Sequence, residues 1–370
     1  MNKAIYILLS VLVLCQSCAA KDILPKPNPD KSEKPFKGVW ITNVASDVLN
    51  DKQGIERAVL HCKSLDITDI FLVVWNGGYT LYPSKIMSDH FGQPIMKKFE
   101  GRDPLQEMIV VAHQHGLKVH AWFEYGFASS YNANGGHIIQ KYNHWQAKDQ
   151  QGNILKKNNF EWMNAFHPEV QGFVKSLVLE VVKNYNVDGV QGDDRLPALP
   201  STGGYDEYTV QLYKNEHNGN VPPSDYLNKE WVEWRSSKLT VFLKDLYQSV
   251  KKEKPQVLVT SAPSVHPWAK TEYLQDWPKW LNDGIIDYVF PQIYRYNIEA
   301  YKATLSEQVS YLNNSTRNKF FPGVLIRNAD YTPTKEFFDQ MIIYNRQLGI
   351  RGEVFWFYEG LKSNLFESKK

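Results

Sequence analysis

From Lys37 onward, short runs of apolar, β-branched and aromatic residues alternate with longer amphipathic stretches. Eight runs read as strands. They are GVWITNV from Gly38, DIFLVVW from Asp69, KVHAWFEY from Lys118 and VDGVQGD from Val187, then QVLVTSA from Gln256, IDYVFPQIY from Ile286, KFFPGVLI from Lys319 and GEVFWFY from Gly352. Stretches such as DPLQEMIVVAHQHG and PEVQGFVKSLVLEVVKNY carry the spacing of an amphipathic helix. Gly116, Gly284 and Gly349 each precede an apolar residue at the end of such a stretch, as a left-handed C-cap would. Strand alternating with helix predicts a parallel sheet with right-handed crossovers. Eight repeats predict α/β architecture closed as a (β/α)8 TIM barrel, and no G-x-G-x-x-G follows the first strand to argue for an open dinucleotide-binding sheet.

The connections are unequal. Helix-to-strand links are short, such as YN before Val187 and LGIR before the last strand. Strand-to-helix links are long, running from about 76 to 102, 126 to 168 and 195 to 225. In a barrel these long βα loops all emerge on the C-terminal face, where barrel enzymes build their sites.

Side-chain alternation puts Gln191 and Asp193 on one face of their strand, and His120, Trp122 and Glu124 on one face of theirs. Charged tips on those faces make sense only at the barrel mouth. The mouth is therefore expected to gather Glu124, Asp193, Asp194 and Glu359, the last from the end of the eighth strand. Crowded carboxylates repel, so one of them should hold a proton at neutral pH. An acid beside a base is what glycosidic cleavage needs. Asp193 is the expected actor at the anomeric centre, and Glu124 is preferred to Glu359 as proton donor. Asp194 either orients Asp193 or merely pairs with Arg195. Glu359 has its own structural alternative, as a first-turn acid of a helix, and Glu353 reads as a structural ion-pair member.

Trp75, Tyr79, Tyr82, Trp122, Tyr294 and Trp356 are expected to present flat faces to sugar rings, with Trp40 and Trp356 the first to be given up to the core. Asn76, Gln191, Gln292 and Arg295 complete the expected substrate-binding set. Metal or cofactor chemistry is not expected. The first strand has no H-x-H, His113 and His115 do not face one way on a helix, and no serine elbow, P-loop or cysteine nucleophile occurs. His120 with Glu124 is the one pairing that could ligate a metal.

The ends change the picture of where the domain works. Lys3 precedes an apolar run from Ala4 to Leu14, the length of a secretory h-region and too short for a finished membrane span. It ends in LCQSC, which resembles a bacterial lipobox with Cys18 as the lipidated residue, although Cys15 stands where Leu is usual. An ordinary signal peptide cut near Ala19 and Ala20 is the alternative. Residues 1–17 are thus read as signal peptide, 18–36 as lipidated cysteine and Pro-rich tether, and 37–370 as one barrel domain. Cys62 reads as a buried small apolar residue, so no disulfide is expected. The net charge of +2 with mixed signs gives no case for nucleic acid. The expected setting is the outer membrane of a bacterial envelope, with a monomer touching the membrane only through its lipid.

The motifs GVWITN, VVWNGGYTLYPSK, HAWFEYGF, VDGVQGDDR, PQIYRYN and GEVFWFYEGL, in that order on successive strand ends, resemble the glycosyl hydrolase-like 10 family. The resemblance runs from about Lys37 to the end. It implies a (β/α)8 barrel that hydrolyses glycan strands, with peptidoglycan stripped of its stem peptides as substrate. Many members carry His and a large apolar residue before the paired aspartates; here those positions are Gln191 and Gly192. Two function classes follow: a lipid-anchored glycosidase, also open to another amino-sugar polymer, and a catalytically silent glycan-binding lipoprotein. The retained Asp193, Asp194 and Glu124 favour the first.

Overall fold

The computed structural model describes residues 35–367; the expectations for Cys18 and the tether lie outside the described residues. The eight barrel strands are β1 (Phe36–Ile41), β2 (Asp69–Val73), β3 (Lys118–Phe123), β4 (Gly189–Asp193), β5 (Leu258–Ala262), β6 (Tyr288–Val289), β7 (Gly323–Leu325) and β8 (Gly352–Trp356). Each is parallel to its neighbours, and β8 pairs with β1 in the register Val354 to Gly38. The seam between β6 and β7 is closed by the parallel bridges Val289 to Phe320 and Gln292 to Gly323. The barrel therefore closes in chain order. Helices α1 (Lys52–Ser64), α2 (Pro104–Gln114), α3 (Pro168–Asn184), α4 (Lys229–Glu253), α5 (Trp277–Asn282), α6 (Ile298–Ser310), α7 (Lys335–Gln347) and α8 (Tyr358–Leu361) follow the strands in turn.

Helix ends follow local chemistry. Asp51, Asp103, Asn228, Asn297 and Thr334 cap α1, α2, α4, α6 and α7 by accepting backbone N–H groups of the first turn. Gly116, Gly284 and Gly349 take φ of 73°, 69° and 76° at the ends of α2, α5 and α7. The apolar residues after them, Leu117, Ile285 and Ile350, donate back to Ala112, Trp280 and Asn345 and are buried. The Gly–apolar pairs in the sequence thus mark real helix stops.

The barrel interior is layered. At the N-terminal end Phe36 stacks on Phe321 and Phe290 at 4.7 Å and 5.5 Å, and Phe71 stacks on His120 at 4.6 Å. His120 Nε2 lies 2.8 Å from Asp69 Oδ1, both buried, so this histidine belongs to the packed floor. In the next layer Trp40 Nε1 donates to Gln191 Oε1 at 2.7 Å, and Gln191 Nε2 donates to Thr260 Oγ1 at 3.2 Å. The Gln191 amide is thus satisfied in the core on both its oxygen and its nitrogen. Gln191 is a support for the layer above it and offers no atom to a substrate.

The long connections fold on themselves. The first holds the hairpin Trp75–Asn76 and Tyr79–Thr80; the second holds a small antiparallel sheet of Ala128–Tyr131, Lys156–Lys157 and Phe160–Trp162. Cys62 is buried on α1 with its thiol pushed up to about 12 by desolvation. Among the described residues no helix is long and apolar enough to cross a membrane.

Candidate active site

The C-terminal ends of β3, β4, β6 and β8 surround a cavity of about 200 Å³. Trp40 and Trp122 form its inner wall, Phe160, Tyr294 and Trp356 its sides, and Glu124, Asp193, Asp194, Arg195 and Gln292 its polar lining. Trp122 packs edge-on against Trp356 at 5.9 Å, and Trp356 contacts Tyr294 at 6.1 Å and Trp40 at 6.0 Å. A cleft with carboxyls on one side and aromatic faces on the other suits a polar ring with apolar faces.

The carboxyls are organised by one guanidinium. Asp193 ends β4, where strand parity turns it inward; Glu124 follows the last residue of the adjacent β3. Arg195 Nη2 is 2.8 Å from Asp193 Oδ2 and 3.7 Å from Glu124 Oε1, and Arg195 Nη1 is 3.0 Å from Asp194 Oδ1. Arg195 is itself fixed, because its Nε donates to the Glu124 carbonyl at 2.7 Å and its plane lies over Phe160 at 4.7 Å. Beyond Arg195 the chain doubles back, so that Leu196 lies directly against Gly192, where a Cβ would stand 2.1 Å from the Leu196 carbonyl oxygen.

Asp193 accepts the Arg195 backbone N–H at 2.9 Å and the Trp122 indole N–H at 3.3 Å besides the guanidinium. Among the described residues Glu124 accepts a direct hydrogen bond from Asn76 alone, at 2.6 Å. Burial pushes both carboxyls above their ordinary range, Asp193 well above it; at each, Arg195 opposes the rise and Asp194 adds to it. Burial also works against the Arg195 cation, and the three carboxylates outweigh it and hold the cation more firmly than usual. The site therefore favours a proton held among its carboxyls. Asp193 rises the further of the two, yet three N–H donors aimed at it, one of them charged, against one neutral donor at Glu124, favour the carboxylate form at Asp193. Burial, followed by the charges of Asp194 and Asp193, raises the Tyr294 hydroxyl well above its usual value, so it is a donor here.

Of the residues singled out from the sequence, the cavity brings together Glu124, Asp193, Asp194, Trp122, Gln292, Tyr294 and Trp356. Asn76 stands behind it as the partner of Glu124. Others fall elsewhere. Glu359 lies in the first turn of α8, accepts from Ser46 Oγ at 2.8 Å and pairs with Lys362, away from the cavity. Tyr82 is wholly buried and donates to the Leu177 carbonyl at 3.2 Å, fastening its loop to α3. Trp75 is also wholly buried and donates to the Gly126 carbonyl at 3.1 Å. Tyr79 stacks on His137 at 4.4 Å, and Arg295 donates to Thr304 and the Tyr294 carbonyl, holding β6 to α6. None of these five faces the cavity. Conversely, Trp40, read as core, is buried and still forms the cavity wall, and Arg195, read only as a partner of Asp194, binds Asp193 more closely. Phe160 arrives from the middle of a long loop, where no periodicity could have marked it.

The matching family model is glycosyl hydrolase-like 10, over residues 35–331. Glycosyl hydrolase DigH of Escherichia coli K12 is 27% identical over 343 residues, covering 79% of this chain and 74% of the relative. Glycosyl hydrolase YngK of Bacillus subtilis is 23% identical over 328 residues, 78% of this chain and 59% of the relative. Among solved structures, the PgaB (BpsB) glycoside hydrolase domain of Bordetella bronchiseptica superposes with TM-score 0.64 at 14% identity, covering 90% of this chain and 95% of that one. The β-amylase catalytic domain of Paenibacillus polymyxa does so with TM-score 0.63 at 11% identity and the same two coverages, 90% and 95%. These structural likenesses establish the TIM-barrel fold.

Proposed function

The chain belongs to the glycosyl hydrolase-like 10 family, and from that premise we propose that it is a glycoside hydrolase acting at the Glu124–Asp193 pair. One observation carries the reading: a buried carboxyl and a largely buried one, from adjacent strand ends, share one guanidinium, in unequal hydrogen-bonding environments, inside an aromatic cleft. Glu124, protonated, donates to the leaving glycosidic oxygen. Asp193, held as carboxylate, acts at the anomeric carbon, and Asp194 fixes Arg195 from the far side. Asp193 Oδ2 and Glu124 Oε1 can be no farther apart than their combined distances of 2.8 Å and 3.7 Å to the shared Arg195 nitrogen. That keeps this oxygen pair at or below the lower edge of the inverting range of roughly 6.5–9.5 Å, and we take the pair as retaining. Asp193 is then the nucleophile, and its glycosyl ester is released by water that Glu124 deprotonates.

The proposed substrate is a glycan strand of peptidoglycan freed of stem peptides, reached from a lipid anchor at Cys18 in the bacterial outer membrane, by a monomer without a cofactor. Mass spectrometry of products from denuded peptidoglycan, intact peptidoglycan and chitin oligomers tests it. Products from denuded strands alone are expected. Cleavage confined to chitin would move the substrate to another amino-sugar polymer, and binding without products would make the chain a glycan-binding lipoprotein.

A further inference from the structure

A second cavity, of about 370 Å³, opens on the same barrel face between the loops that follow β6 and β7. Tyr296 and Tyr331 form its aromatic wall, their rings edge to face at 4.8 Å. Tyr296 is 61% exposed, an unusual position for so large an apolar surface. Both residues sit on ordered backbone. Tyr331 closes a tight turn with Asn328 through two backbone hydrogen bonds, and Tyr296 immediately precedes Asn297, the cap of α6. Around the rings stand Glu299, Glu336 and Gln340. The two glutamates lie in first helical turns, where the dipole favours them. Among the described residues none of the three side chains makes a hydrogen bond or ion pair.

Two further observations give the cavity a direction. Tyr294, on the wall of the catalytic cleft, and Tyr296, on the wall of this one, are two residues apart on the same strand exit, so their Cα atoms are within about 7 Å. In addition, the five exposed Trp and Tyr side chains among the described residues, Tyr131, Tyr208, Tyr226, Trp268 and Tyr296, all lie in strand-to-helix connections. Exposed Trp and Tyr side chains among the described residues thus lie on the loops of the mouth side.

We propose that the Tyr296–Tyr331 cavity is an outer subsite that binds the polysaccharide where it leaves the catalytic cleft. The inference rests on the glycosidase reading and adds that the substrate is a long chain. Ring faces cover the apolar faces of a sugar unit, and the unpaired carboxylates and amide accept or donate to its hydroxyl groups. The acidic rim makes the subsite one for an uncharged amino-sugar unit of the strand rather than for a unit that carries a free carboxylate.

The test compares the full chain with the double variant Tyr296→Ala/Tyr331→Ala, on denuded peptidoglycan strands and on a tetrasaccharide cut from them. On strands, kcat/KM should fall about tenfold through KM, the worth of two stacking rings, with tetrasaccharide turnover unchanged. The double Phe variant should restore the strand activity. An equal loss on both substrates, or no loss on either, overturns the subsite. If the wild type cuts neither, co-sedimentation with the strands decides. Weaker retention of the double Ala variant keeps the subsite while the hydrolase reading falls, and equal retention removes the subsite. A wild-type chain that neither cuts nor retains strands removes both.

Discussion

Arg195 holds Asp193 at 2.8 Å while facing Glu124 at 3.7 Å, so the two carboxyls that the barrel brings together are not chemically equivalent. One accepts from three N–H donors and the other from a single neutral one. The proposed division of labour between acid and nucleophile rests on that inequality.

Removing either partner should therefore stop the chemistry without unfolding the barrel. Asp193→Asn and Glu124→Gln are each expected to lower kcat by a factor of roughly a hundred to ten thousand, with glycan affinity largely kept. Glu359→Gln should leave kcat within about twofold, since its partners are Ser46 and Lys362. Initial rates on denuded strands decide this. Wild-type rates in Asp193→Asn would remove the mechanism.

The buried acid should also cost stability, with a definite pH dependence. Burial raises the Glu124 pKa in the folded state, so folding takes up a proton over the interval between the unfolded and folded values. Below the unfolded value, about 4.3, both states are protonated and the penalty is absent. It grows as pH rises and is complete above the folded value. Glu124→Gln should accordingly raise Tm at pH 8, by about 2 °C for each kcal/mol regained, and leave it unchanged near pH 3.5. Calorimetry at the two pH values measures this; equal Tm differences at both would contradict the proton assignment.

A separate ion pair should behave in the opposite way. Glu353 is 1% exposed and meets Arg346 through two hydrogen bonds, at 2.8 Å and 2.9 Å, with Asn345 at 3.3 Å. Arg346→Ala leaves that carboxylate buried without its cation and should lower stability by about 3 kcal/mol. Activity at low temperature should persist, because β8 begins at the barrel end remote from the cleft. Denaturant midpoints and strand hydrolysis, measured together, separate the two effects.

The barrel and the placement of Glu124 and Asp193 were legible because periodicity and parity are properties of regular strands. A side chain at the end of a strand inherits its direction from the residues before it, as Asp193 does from Gln191. That rule reaches Glu124, one residue past β3, and lapses farther out. Glu359, three residues beyond β8, turns into α8 and away from the mouth. Trp75, Tyr79 and Tyr82 lie in a connection that folds into its own hairpin, and each ring is used to seat it. Arg295 anchors β6 to α6 for the same reason. Loop aromatics in the sequence could not be sorted into supports and platforms, because that choice depends on tertiary contacts. Phe160 and Arg195 belong to the site through such contacts alone.

The doubling back of the chain onto Gly192 has a consequence for redesign. Even one methyl group at position 192 would meet the Leu196 carbonyl oxygen at 2.1 Å. The glycine and the path taken at 195–197 are therefore one unit rather than two. Neither can be exchanged alone, and a chimera that grafts a larger residue into the fourth-strand motif must carry a different following loop with it.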